Sequence, residues 1–242
     1  MIDNKTKFKK ILNISVSVLL VLFMVQFEIT KIAKDRLFLN LIDTLHFANL
    51  RLDVSAFPAL KMLWGHFDKI SLSAMQAVFD EITVYDVSID ARNVDLPNTT
   101  ANLENISLGR SKVGFSLRFD KVRELYISKI ENLSGLYVYL NNNLNDNKVY
   151  IAGSVSLFGF DADVVAKGSL NVIEGNVLEY SVSSLKVENI DIPDIPDIFV
   201  ENIKNLLNFK FEITQLPFGI ILDSVSLNSN NNLIILKGHT NE

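Results

Sequence analysis

Hydrophobic and polar positions alternate along this chain with three different periods. From Ile11 to Phe27 no residue is charged and nearly all are apolar. As a helix this run rises about 25 Å, and about 33 Å if it extends from Phe8 to Ile29, which is enough to cross a hydrocarbon core of about 30 Å. The spacing then changes to three and four residues. Ile29, Ile32, Ala33, Leu37, Leu41 and Leu45 form an apolar stripe between Lys31, Lys34, Asp35 and Asp43, which predicts an amphipathic helix continuing from the first.

Beyond residue 50 the period is mostly two. Leu50 to Val54 and Ile70 to Ala74 read as strands with one buried face. Between them Pro58 stands where a short helix would start and Gly65 where it would stop. Ile82 to Val94 is strand-like, with a phase slip at Tyr85-Asp86 that predicts a bulge. Lys112 to Phe119 alternates again. Asp120 is placed to cap a helix carrying Val122, Leu125, Tyr126, Ile130 and Leu133. Strands are predicted at 136–140, 149–158, 160–172 and 177–187, and an extended segment at 191–196 held by two prolines. A third helix runs from Pro196 to about Asn208 on Ile198, Ile203, Leu206 and Leu207. A hairpin of 220–227 and 233–237 closes the chain. The predicted class is α+β: a meander of long antiparallel strands rolled against two or three helices.

Charge sharpens the N-terminal reading. The chain has 23 Lys and Arg against 28 Asp and Glu, a net charge of −5. Lys5, Lys7, Lys9, Lys10 and Asp3 fall in the first ten positions, so the remainder carries 19 against 27, a net −8. An acidic domain of this kind is not a nucleic-acid binder. The lysines beside the apolar run keep that end cytoplasmic and send the rest of the chain outward. A cleaved signal would want small residues before the cut, whereas the exit reads Val25-Gln-Phe-Glu-Ile-Thr-Lys31, so the run reads as an uncleaved anchor. The predicted organisation is a basic tail at 1–10, an anchor or uncleaved signal at 11–29 and an extracytoplasmic domain at 30–242.

Candidate chemistry is sparse. There is no Cys, and His46, His66 and His239 have no ligand-like spacing. The ten Gly form no phosphate-cradling loop, and no nucleophile elbow occurs. Asp161 with Asp163, Asp194 with Asp197, and Asp80 with Glu81 could each hold a hard cation, but solvated strand positions and helix N-terminal charge explain them more simply. No metal, no cofactor and no catalytic residue is predicted. The informative excess is apolar. Leu136 to Leu140, Leu157 to Phe160, Phe218 to Leu222 and Leu233 to Leu236 carry apolar side chains on both faces. The second face is covered either by a helix-filled core or by an apolar ligand, and the pattern leaves both open.

Three blocks of sequence carry a family resemblance. Phe57-Pro-Ala-Leu-Lys-Met-Leu-Trp-Gly-His-Phe-Asp68, followed by a strand, resembles an early signature of the LmeA-like family of bacterial phospholipid-binding envelope proteins. Val84 to Pro97 is similar to the family's next block, and Leu216-Pro-Phe-Gly219 with the strands after it to the family's ending. Two positions depart from the pattern: His66 stands where a basic residue is more usual, and Asn231-Asn232 replaces an Asp-Gly turn. The resemblance implies a fold like the tubular lipid-binding proteins, with long curved antiparallel strands wrapped around a helix and leaving an apolar groove, and non-enzymatic binding of phospholipid acyl chains at the outer face of the plasma membrane. Transfer or presentation of lipid to an envelope-assembly protein partner would follow.

The expected groove mouth is Phe57, Leu60, Leu63, Trp64 and Phe67, and the expected lining is Leu136, Val138, Leu140, Phe158, Phe160, Phe218, Ile220 and Leu222. Trp64, the only tryptophan, either plugs the end of the barrel or stands where an apolar surface meets water. The competing reading is a membrane-tethered scaffold with a dry core. A lipid-modifying enzyme ranks third, because no nucleophile and base can be paired.

Overall fold

A computed structural model describes residues 3–79, 82–96, 108–129, 133–140, 148–157, 160–188, 196–213 and 219–240. The two predicted N-terminal helices are one. Helix α1, Asp3–Leu45, runs for 43 residues without a break, about 65 Å. From Val16 to Phe27 its large apolar side chains are exposed, and the segment Ser15–Ile42 is long and apolar enough to cross a membrane. Its C-terminal part behaves differently. Leu41 is buried, and Ala33, Leu37 and Phe38 pack against the core, so the amphipathic stripe is the side that meets the domain.

Six strands form the first sheet. β1 (Arg51–Ser55), β2 (His66–Phe79), β3 (Ile82–Asp95) and β4 (Arg110–Arg118) follow one another as antiparallel neighbours. The last two strands of the chain, β10 (Ile220–Asn228) and β11 (Leu233–Thr240), complete it, with β11 against β4. The five-stranded second sheet follows chain order throughout: β5 (Leu133–Leu140), β6 (Val149–Leu157), β7 (Phe160–Ile173), β8 (Val177–Glu188) and β9 (Phe209–Glu212). The architecture is α+β, mostly antiparallel, with a curled half-barrel sheet. The predicted bulge is present: the β3–β4 register shifts between Tyr85 and Ser88, and Asp86 takes φ 50°.

The sheets meet where the β7–β8 turn abuts β10. Leu222 N–H donates to Gly175 O at 2.6 Å. Gly175 has φ +74°, and a Cβ there would lie 2.6 Å from Ile221 Cγ2, so this approach needs glycine. Helices α2 (Phe119–Lys129) and α3 (Asp197–Leu207) close the second sheet. Tyr126 O–H on α2 donates to Leu207 O at the end of α3 (2.9 Å), and its ring meets Phe209 edge-on at 5.0 Å. Burial pushes the Tyr126 phenol well above its ordinary value.

Several expectations need correction. The stripe of α3 is Phe199, Ile203 and Leu207, spaced by four, while Ile198 is exposed. Leu133 begins β5 rather than ending α2, and α2 starts at Phe119, which puts Asp120 inside its first turn. Strand β9 is not anticipated, although Phe209 and Phe211 alternate with Lys210 and Glu212. The apolar excess in β11 resolves into one fully buried face, Ile234 and Leu236, and one half-buried face, Leu233 and Ile235. The extended segment predicted at 191–196 lies outside the described residues except for Pro196, which sits in extended conformation ahead of α3.

Ile203 is fully buried between α3 and the core. Ile203→Ala is expected to cost about 2–5 kcal/mol of unfolding free energy. Tyr126→Phe is expected to cost about 1–3 kcal/mol, because Leu207 O loses its donor. Denaturant midpoints of the two variants check both.

Candidate functional site

One polar side chain interrupts the C-terminal end of the apolar run. Gln26 Nε2 donates to Ala56 O at 2.9 Å, and its Oε1 accepts from Ala59 N–H at 2.7 Å. Both halves of the amide are used, which ties the loop after β1 to α1 where the uncharged stretch ends. Two turns further along the helix, Lys34 Nζ meets Asp53 Oδ1 at 3.0 Å, so β1 and α1 run side by side away from that point.

The tied loop leads into a 3-10 helix, Ala59–Trp64, bounded as its flanking residues predict. Pro58 precedes it in extended conformation and Gly65 ends it in the left-handed region, φ 82°. A Cβ on Gly65 would sit 1.8 Å from Leu96 O, and Gly65 O itself accepts from Leu96 N–H at 2.8 Å, so this residue seats the turn on the end of β3. Asp68 holds the other side. Its Oδ2 accepts from Phe57 N–H at 2.7 Å and its Oδ1 from Lys61 Nζ at 2.6 Å. The Lys61 hydrogen bond, then the Phe57 one, hold the Asp68 carboxyl below its ordinary value.

This framework sorts the apolar side chains of the segment. Ala59, Met62 and Phe67 point into the core. Phe57, Leu60, Leu63 and Trp64 are 80%, 47%, 47% and 61% exposed, so Trp64 does not plug the barrel end. Four large apolar residues thus stand in the open within one eight-residue stretch, beside the apolar part of α1.

Between the 3-10 helix and α1 lies a groove of about 310 Å³. Ile32, Ala33, Leu37 and Leu39 form its α1 wall; Met62, Leu63, Phe67 and Leu96 form the facing wall, and the exposed Arg36 contributes a guanidinium. The volume is at the lower end of the ligand-pocket range. A mostly apolar lining, with Asn40 and one cation, suits an acyl chain whose headgroup bears a negative charge. Of the expected mouth residues, Leu63 and Phe67 line this groove, while Phe57, Leu60 and Trp64 belong to the same segment.

The expected lining residues are not gathered there. Val138 faces a pocket of about 30 Å³ with Ile151, Leu178 and Tyr180, room for about one water. Leu136 and Leu140 are half-buried on β5, and Ile220 and Leu222 are buried on β10 in the other sheet. Phe158 and Phe218 lie outside the described residues, as does the side chain of Phe160. The α1 wall and Gln26 are the residues that sequence reasoning missed. Ile32, Ala33 and Leu37 were visible as a stripe, but nothing in the pattern said what the stripe faced.

Residues 48–231 match the LmeA-like phospholipid-binding family. The chain belongs to this family. The LmeA-like match starts just after α1 and runs past β10, so it contains the 3-10 helix, Gly65, Asp68 and one wall of the groove, while the α1 wall precedes it. No curated protein and no solved structure matches the chain.

The Asp68 bonds tie stability to pH. A carboxyl held low stabilises the fold above its unfolded value, and that contribution is lost as pH falls through the folded one. Asp68→Asn is therefore expected to lower the thermal midpoint at neutral pH. The gap from wild type should close as the pH falls through 3.8, the ordinary value, and below. Midpoints of both proteins across the acid range check this; a gap independent of pH would contradict it.

Proposed function

We propose that this LmeA-like protein binds phospholipid acyl chains without chemistry at the outer face of the plasma membrane, and passes or presents them during cell-envelope assembly. The observation that carries the reading is the position of the groove. It opens between α1 and the 3-10 helix, next to the point where Gln26 fastens the domain to the end of the uncharged stretch. A lipid leaving the bilayer there need not cross water. Since each CH₂ exposed to water costs about 0.8 kcal/mol, an apolar path from bilayer to groove lowers the barrier to extraction.

The lysine-rich N-terminal flank supports the orientation, with α1 as a single-pass anchor and the C-terminal domain outside. Phe57, Leu60 and Trp64 then face the interface, where tryptophan is favoured. Arg36 is placed to meet a phosphate. A specific observation favours the second reading, a tethered scaffold with a dry core: the pocket within the second sheet is too small for a lipid. The two readings differ at the groove alone, since the scaffold reading gives it no work.

Lipid transfer between vesicles by the reconstituted full chain separates them. Leu63→Asp places a carboxylate in the groove wall and is expected to slow transfer roughly tenfold or more. Trp64→Ala is expected to slow transfer while changing stability by about 0.5 kcal/mol or less, as for exposed side chains. A loss of about 3–5 kcal/mol for Trp64→Ala with unchanged transfer per folded molecule would contradict the portal. Unchanged transfer in both variants would favour the scaffold.

A further inference from the structure

We propose that the outer face of the first sheet carries a second lipid contact, a cationic basin that takes the anionic headgroups of the membrane in which α1 is anchored. The proposal rests on reading α1 as an anchor, and it gives the fold a preference for membrane composition that the groove does not supply.

The basin has a volume of about 880 Å³ and spans β2, β3, β4, β10 and β11. Lys69, Arg92, Arg110, Lys112 and Lys237 line it against Asp90 and Asp223, five cations to two anions and a net +3, in a chain whose net charge is −5. Both acids already have partners. Asp90 accepts from Ser71 Oγ at 2.6 Å and lies 3.8 Å from Lys69 Nζ, and Asp223 is 2.8 Å from His239 Nδ1. Lys69 and Arg92 are directly opposite each other across the β2–β3 ladder. Like charges in that position destabilise a sheet, a cost that an anion seated between them removes.

Register places the basin at the membrane surface. Ser55 is the β1 partner of Lys69, and the next residue, Ala56, is the one whose carbonyl Gln26 holds. Lys69 therefore sits one residue from the level at which α1 loses its uncharged character. Arg92 lies across from Lys69, and two residues further along β3 Asp90 lies across from Lys112, which lies across from His239, so two adjacent rows of the ladder, at the levels of Ser55 and Asp53 on β1, carry the basin over the sheet. Lipid phosphates occupy that level, and guanidinium and ammonium groups bind them through charge-assisted hydrogen bonds. The 3-10 helix inserts on one side while the basin holds headgroups on another.

Trp64, as the only tryptophan, reports docking through its fluorescence and its quenching by brominated acyl chains. The full chain is reconstituted in nanodiscs of phosphatidylcholine, and of phosphatidylcholine mixed with phosphatidylglycerol. Quenching is expected to be stronger in the anionic discs and to fall toward the neutral value as salt is raised. Lys69→Gln, Arg92→Gln and Lys112→Gln together should lower the ratio of docked to lifted domains in anionic discs by roughly fivefold per cation removed, with neutral discs unaffected. All three side chains are exposed, and unfolding midpoints confirm that the variant folds; Lys237→Gln alone gives a milder second test. Equal quenching of wild type in both discs, or a triple variant indistinguishable from wild type, would overturn the basin and leave the groove reading standing. Absence of quenching in either disc would overturn both.

Discussion

The amide of Gln26 is the interaction on which the geometry of the site depends. A primary amide at the end of an uncharged helix is costly wherever water is scarce, unless both its donor and its acceptor are used. Here the chain after β1 uses both, through Ala56 O and Ala59 N–H. The bonds fix a height. They set the 3-10 helix beside the last turns of the apolar stretch, and β1, with Lys34 paired to Asp53 further up, carries that height into the first sheet. The groove, the exposed aromatic and aliphatic side chains and the row of cations all inherit their level from this attachment.

The buried core and the proposed lipid groove reside in different parts of the fold. The two sheets bury Ile151, Leu178, Ile203, Leu207, Ile234 and Leu236 completely, and Tyr126 joins α2 to α3 by a buried hydrogen bond. This interior is packed rather than hollow where Val138, Ile151 and Leu178 meet. The groove is built outside them. Its two walls come from segments far apart in sequence, α1 and the turn at 59–67, held together by Gln26 on one side and seated on β3 by Gly65 on the other.

Much of the fold was legible in the sequence, for local reasons. Pro58 and Gly65 punctuate the 3-10 helix because one fixes φ and the other accepts φ 82°. The slip at Tyr85-Asp86 marked a bulge because a period of two cannot absorb an extra residue without reversing faces. The errors have equally local causes. Four residues, Phe209 to Glu212, are too few for periodicity to separate a strand from a loop. Ile198 and Phe199 are adjacent apolar residues at a helix start, and only packing decides which turns inward. The site was half legible. Proline, glycine and the apolar run between them announced one wall, which lies within the residues 48–231 that match the LmeA-like phospholipid-binding family. The other wall is made by tertiary contact, and no local pattern marks Gln26, because its partners are thirty and thirty-three positions away.

The central claim, that lipid enters between α1 and the 3-10 helix, is tested most directly by photocrosslinking. The full chain, reconstituted with a diacyl phospholipid bearing a photoreactive group near the acyl terminus, is irradiated and its modified peptides are mapped. The account predicts adducts on Met62, Leu63 and Leu96 and on the facing side of α1 at Ala33 and Leu37, lost in Leu63→Asp. Adducts confined to Ser15–Phe27, or found on β5 and β10 while 59–67 stays unmodified, would contradict it.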